Sequence, residues 1–151
     1  MQIIWLGHSG FRIEIEDAVL LVDPWLDSNP MFPASRRAEA IAGATHILLT
    51  HAHGDHASGA LQIAQETGAT LAAIHELAEW LGREGAQNVV GFGKGGTIET
   101  GLARVTMVNA SHSASIDFKG GNAVAGGSAA GFMIAGEGHV IYVSGGTDIM
   151  A

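Results

Sequence analysis

Residues 51 to 56 read His51-Ala52-His53-Gly54-Asp55-His56, three imidazoles and a carboxylate in six positions. Imidazole nitrogens and carboxylate oxygens are the ligands that borderline divalent cations take. His51 and His53 are two apart in a segment leaving a strand, so their side chains project to one side and can share an ion. Asp55 and His56 follow the turn at Gly54 and face a neighbouring position, where Asp55 can also cap the next helix. A tetrahedral centre with one open position needs a third protein nitrogen. His112, in Ala110-Ser111-His112-Ser113 at the end of a strand, is the candidate. The alternative is a hydrogen-bonded structural histidine.

These side chains need a rigid frame. The apolar run His46-Ile47-Leu48-Leu49-Thr50 predicts a buried strand, and Ala57 to Thr67 a helix, which puts the cluster at a strand-to-helix junction of an α/β sheet. Upstream, residues 2–6 predict a first strand, then a Gly7-His8-Ser9-Gly10 turn. Phe11 to Glu16 alternates apolar and charged residues, the period of a strand with one wet face. Val19 to Val22 is wholly apolar and ends at Asp23-Pro24. Residues 25–43, with Pro30 and Pro33, predict a crossing loop with a short helix from Ser35. Downstream come a strand at 70–74, an amphipathic helix at 75–84 and a strand at 88–92. Hairpins follow at 97–100 with 103–110 and at 131–135 with 139–143. Residues 120–131 are rich in glycine and alanine and read as a flexible loop.

Composition narrows the partners. A hydrophobic content of 47% with 15% charged residues describes a globular chain, and 151 residues suffice for one domain. The formal charge of −8 repels phosphate backbones, which argues against nucleic acid. With no cysteine, neither disulfides nor thiolate metal sites are open to the chain. The N-terminus lacks the basic and apolar regions of a signal peptide, and no apolar run approaches the roughly 20 residues of a membrane span. A cytoplasmic protein with a small-molecule substrate and no membrane association is expected.

Four stretches then line up with one family. Gly7-His8-Ser9, Val22-Asp23-Pro24, Thr50 to His56 and Ala110 to Ser113 occur in the order seen in the metallo-β-lactamase superfamily. The chain most resembles its metal-dependent hydrolase branch, near the ascorbate-phosphate lactonase-like proteins. The resemblance implies an α/β (α+β) fold, an αββα sandwich, with His51, His53 and His112 on a first metal and Asp55 and His56 contributing to a second. Zinc is the commonest occupant, with manganese or iron as alternatives. A metal-bound hydroxide would attack a small ester, lactone or phosphoester, with Asp55 and His8 as catalytic residues. His8 would stand at the mouth of the site, the alternative being a structural turn histidine. Asp23 would orient a ligating histidine from behind, the alternative being a turn former before Pro24. His46 and His75 have no motif support, and His139 falls in a hairpin.

Two departures qualify that pattern. Where the family carries Gly-Asp-Thr, whose aspartate bridges two metals, this sequence has Gly145-Gly146-Thr147, with Asp148 two residues late. The family also continues through further strands and helices to another histidine. Residues 1–151 therefore read as a single domain lacking the usual C-terminal elements, the N-terminal portion of the fold, incomplete in one chain. One tightly held cation and a second site that is weak or empty are expected. So is completion by a homo-oligomer or a complementary chain. The competing readings are a truncated product and a silent metal-binding half-domain.

Overall fold

The computed structural model describes residues 1–150. Its first sheet begins as a meander. β1 (Gln2–Trp5), β2 (Phe11–Ile15) and β3 (Ala18–Val22) pair antiparallel in sequence order. From β3 onward the chain crosses over through helices, and β4 (His46–Leu48), β5 (Thr70–Ile74) and β6 (Val89–Phe92) add in parallel. The burial of these strands explains their composition. Leu20, Leu21, Ile47, Leu48 and Leu71 are fully buried, as expected of parallel strands covered on both faces.

The connections carry α1 (Arg37–Ile41), α2 (Gly54–Ala57), α3 (Ala60–Thr67) and α4 (His75–Arg83). Helix α4 packs on β5 and β6, and α3 on β5. Among the described residues, every helix lies in a connection of this sheet. The second sheet is antiparallel. It has β7 (Thr97–Thr100), β8 (Ala103–Asn109), β11 (Ala130–Gly136) and β12 (His139–Val143), in the order β12-β11-β8-β7. Val105, Met107, Phe132 and Ile134 from this sheet join Ile13, Leu20, Ile47 and Leu71 from the first in one core. Phe92 stacks on Phe132 across it, with ring centroids 6.2 Å apart.

Three local expectations change. The helix predicted over 57–67 is split, α2 ending at Ala57 and α3 starting at Ala60. Gly59 stands in the gap, where helix propensity is poor, and a Cβ there would lie 3.5 Å from the Pro24 carbonyl oxygen. The strand predicted over 46–50 is shorter, although Leu49 still donates from its backbone to Ala72. The loop predicted over 120–131 contains β10 (Val124–Ala125), which pairs with β9 (Ser115–Ile116), and its last two residues already belong to β11.

Candidate metal centre

The parallel register brings the site together. Val22 pairs with Leu48, so the residues following β3 and β4 emerge side by side. Asp23 leaves β3 with a φ of 44°, an uncommon value for a non-glycine residue, and its backbone donates to the Leu48 carbonyl. Its carboxylate thereby reaches Thr50, just beyond β4. Asp23 Oδ1 accepts from the Thr50 amide at 2.8 Å and Oδ2 from the Thr50 hydroxyl at 2.6 Å. Oδ2 also meets His56 Nδ1 at 2.9 Å.

This network assigns the imidazole tautomers. The Thr50 hydroxyl spends its proton on Asp23, so toward His51 Nδ1, 2.9 Å away, it accepts. His51 therefore carries its proton on Nδ1 and a lone pair on Nε2. By the same reasoning His56 donates from Nδ1 to Asp23 and leaves Nε2 as an acceptor. His51 is fully buried, and its Nε2 has no hydrogen-bond partner. An orphaned buried nitrogen is costly unless something else uses its lone pair.

Two more imidazoles converge on that nitrogen. His53 extends from the segment between β4 and α2, and His112 from the connection between β8 and β9. Ring centroids lie 4.7 Å apart for His51–His53, 4.9 Å for His51–His112 and 5.1 Å for His53–His112, all edge to face. One ligand atom from each falls within 4.8 Å of the others. Three imidazoles, one buried with a lone pair that nothing in the protein uses, fit a divalent cation.

A second group adjoins the first. His8, Asp55 and His56 also offer ligand atoms within 4.8 Å of one another. His8 Nε2 lies 2.9 Å from Asp55 Oδ2, and His56 Nε2 is 3.9 Å from the same oxygen. The rings of His51 and His56 are 4.0 Å apart, so the two groups share a wall.

Charge states follow from these neighbours. Burial pushes the His51 imidazole down to about 4, with His56 adding to that and Asp23 opposing it. Burial also depresses His56, but the Asp23 hydrogen bond and the charges of Asp23 and Asp55 outweigh it, leaving His56 above its ordinary value. Desolvation works to raise Asp55, yet His56, its own backbone amide and His8 together hold its carboxyl below the usual range.

Gly146 sits where the sequence pattern would place a bridging aspartate. A Cβ added there would stand 3.0 Å from His112 Nε2 and 3.2 Å from His51 Cε1, so the backbone itself lines the centre. Asp148 does not substitute for it. Its backbone amide donates to the Ser111 carbonyl, its carboxylate accepts from the Ile149 amide, and it joins none of the candidate groups. Thr147 accepts from the Ser111 amide, so residues 147 and 148 brace the segment that carries His112.

Of the residues singled out from sequence, His51, His53 and His112 assemble in one group, and His8, Asp55 and His56 in the next. Asp23 lies behind both. His46 bonds to Thr45, and neither it, His75 nor His139 belongs to any group. Sequence reasoning overlooked Thr50, whose position before the first histidine was the available signal. It also overlooked Asp117, whose carboxylate accepts from the Gly54 amide at 2.8 Å and ties the 113–130 segment to the turn.

The fold and this site define a metallo-β-lactamase-type protein, and the chain belongs to the beta-lactamase superfamily, whose domain family matches residues 19–151. Within it, the chain is 62% identical over 151 residues to a UPF0173 metal-dependent hydrolase of Cereibacter sphaeroides and 60% identical over 152 residues to one of Paracoccus denitrificans. It is matched over its full length but spans only 65% of each of those relatives. Among solved structures it is similar to Igni18, a metallo hydrolase from Ignicoccus hospitalis. The identity is 25% and the TM-score 0.79, with 99% of this chain and 62% of that one covered. The isothiocyanate hydrolase from Delia radicum gut bacteria shares the fold at 17% identity and a TM-score of 0.74, over 99% of this chain and 64% of that one. No described helix is long and apolar enough to cross a membrane.

Proposed function

We propose that this chain carries the cation-binding part of a metal-dependent hydrolase acting on a small ester, lactone or phosphoester. The observation that carries the reading is the buried, unpartnered Nε2 of His51 facing His53 and His112. Those three imidazoles would hold a divalent cation, zinc first by ligand chemistry and manganese or iron next. A cation held there supplies Lewis acidity, acidifying water and polarising the substrate oxygen.

The chain's own residues do the rest. Asp23 and Thr50 keep the His51 lone pair on Nε2 and prevent the ring from turning away. Asp55 and His8, both on the open side, stand where a substrate enters, and Asp55 Oδ2 is placed to accept a proton. The names of the Cereibacter and Paracoccus relatives support the hydrolase class.

The absence of a carboxylate at Gly146 favours a second reading, a weakly active or silent metal-binding module that works with a complementary chain or second copy. Among the described residues β12 is one of the two edge strands of its sheet, with Val140 61% and Tyr142 51% exposed, a surface open to strand addition. Metal analysis and hydrolysis assays on wild type and His53→Ala separate the readings. Metal-dependent turnover of a lactone or phosphodiester that His53→Ala abolishes supports the enzyme. Bound metal without turnover supports the silent module, and no metal after reconstitution defeats both.

A further inference from the structure

His51 is positioned by the Asp23–Thr50 network, but nothing equivalent stands behind His53. Among the described residues its ring hydrogen-bonds only with the Ser113 hydroxyl, at 3.3 Å. The placement of His53 therefore rests on its backbone, and above all on the peptide unit that joins it to Gly54. The carbonyl of that unit accepts from the His56 and Ala57 amides at 3.0 and 2.9 Å, which starts α2. Its N–H is the first amide of the helix, and such an amide has no partner within the helix. The N-cap residue that would ordinarily steady this end is His53 itself. Its imidazole makes no cap hydrogen bond and belongs to the tri-histidine group instead.

The missing acceptor comes from 63 residues away. The Gly54 amide donates to Asp117 Oδ1 at 2.8 Å. So close an approach needs bare backbone at residue 54, where a Cβ would lie 3.1 Å from Phe118 Cβ and 3.3 Å from Asp117 Oδ1. The two residues after Asp117 tie it down on α4. Phe118 meets Trp80 edge-on, with ring centroids 5.9 Å apart. Lys119 Nζ lies 3.0 Å from Glu84 Oε2 and 5.7 Å from the Trp80 ring centroid. Exposed ion pairs contribute little alone, so the aromatic contact is the firmer half of this latch. One segment thus begins at His112 and, five residues later, holds the turn between His53 and Asp55.

We infer that Asp117 is a positioning residue for the candidate centre. Its carboxylate caps α2 from outside, fixes the His53–Gly54 peptide and so sets where His53 and Asp55 stand, with Phe118 latched on Trp80 to keep it there. This rests on the metal-dependent reading for its consequence at the cation, while the hold on the turn is a property of the metal-free chain.

The test is amide hydrogen exchange in the chelator-stripped 151-residue chain, followed by the rate at which the Co(II)-loaded chain releases its ion to excess chelator. Asp117→Ala should speed exchange at the Gly54 amide by about 2- to 30-fold, the range for a lost helix cap. Asp117→Asn keeps an acceptor oxygen and should restore most of the protection. Phe118→Ala should act in the same direction as Asp117→Ala. The Leu71 amide, bonded to the Asn88 carbonyl in the core, should exchange as in wild type in all three variants. Release of Co(II) from Asp117→Ala should quicken by the same factor as Gly54 exchange, because both pass through opening of that turn. Unchanged Gly54 exchange in Asp117→Ala, or equal acceleration in the Ala and Asn variants, would overturn the assignment. So would matching acceleration at Leu71, which would make Asp117 a support of the whole fold, or Co(II) release at the wild-type rate. Unaltered Gly54 exchange in Phe118→Ala would overturn the latch. Failure of the metal-dependent reading looks different: wild type would take up no Co(II), while Gly54 exchange would still separate the Asp117 variants.

Discussion

The Asp23 carboxylate holds the Thr50 hydroxyl at 2.6 Å, and through it sets which nitrogen of His51 is free. The same carboxylate fixes His56 directly, so one buried acid governs an imidazole in each of the two groups. Thr50→Val removes the hydroxyl at nearly constant volume. It leaves Asp23 short of a donor and His51 Nδ1–H short of an acceptor, both buried. Such unmet groups cost about 1–3 kcal/mol each, so the metal-free protein should lose stability on that scale. Cation affinity at the tri-histidine group should fall by about 10–100-fold, the usual effect of losing an outer partner. Thr50→Ser, which keeps the hydroxyl, should recover most of both. Chelator competition and urea unfolding measure the two effects, and equal behaviour of the Val and Ser variants would remove the relay.

The acid response of the metal-free protein follows from two opposed histidines. His51 has a folded value of about 4 against 6.5 when unfolded, so the unfolded chain binds more protons in that window. Its contribution is present in full above pH 6.5 and drains away as the pH falls toward 4. His46, lowered by burial, acts in the same direction. His56 is raised despite its burial, so it stabilises below pH 6.5, and that contribution fades as the pH rises through its folded value. The melting temperature of chelated protein should therefore fall between pH 7 and pH 5. The fall should be shallower in His51→Gln and steeper in His56→Gln. The reverse ordering of the two variants would mean that the Asp23 network does not hold His56 as described.

Much of this centre could be read in the chain before any coordinates, and the division has physical causes. The spacing of His51, His53, Asp55 and His56 after an apolar run is local, and so is the period of the strands on either side. His112 followed from the need for a third nitrogen. The position of Thr50 before the first histidine was legible, but its role as a relay depends on β3 and β4 lying parallel with Val22 opposite Leu48, a pairing between residues 26 apart. The contact of His8 with Asp55 spans 47 residues, and that of Asp117 with the Gly54 amide 63, with no periodicity to announce either. The split between α2 and α3 falls at Ser58-Gly59, where glycine weakens a helical pattern that otherwise continues.

The core shared by the two sheets under the site includes one stacked aromatic pair. Phe132 on β11 is fully buried and stacks on Phe92 of β6, with an interplanar angle of 19°. Phe132→Ala should cost about 3–5 kcal/mol, the range for deleting a buried aromatic ring. Because β11 pairs with β8, the strand that leads to His112, the loss should also loosen that imidazole. Denaturant titration reads the first effect. The second predicts weaker cation binding in Phe132→Ala under conditions where the variant remains folded. A loss under about 1 kcal/mol would show that the Phe132 ring is not packed into the core as described.

Gly146 offers the sharpest steric test. Its neighbours are imidazole atoms of the tri-histidine group, with His112 Nε2 at 3.0 Å and Cδ2 at 2.9 Å from an ideal Cβ, and His51 Cε1 at 3.2 Å. His51 is locked from behind by Thr50, so it has no room to retreat. His112 stands on an exposed connection and must yield instead. Gly146→Ala therefore displaces His112 and spares His51, His53 and the fold. Forcing a methyl into a packed site costs about 1–3 kcal/mol, which at the cation corresponds to about a 5- to 150-fold loss of affinity. Thermal unfolding of the metal-free variant should change far less, because the strain is relieved at an exposed residue. Chelator competition with Zn(II) on Gly146→Ala measures the loss. Wild-type affinity in that variant would mean that the backbone at residue 146 stands further from the histidines in solution than it does here.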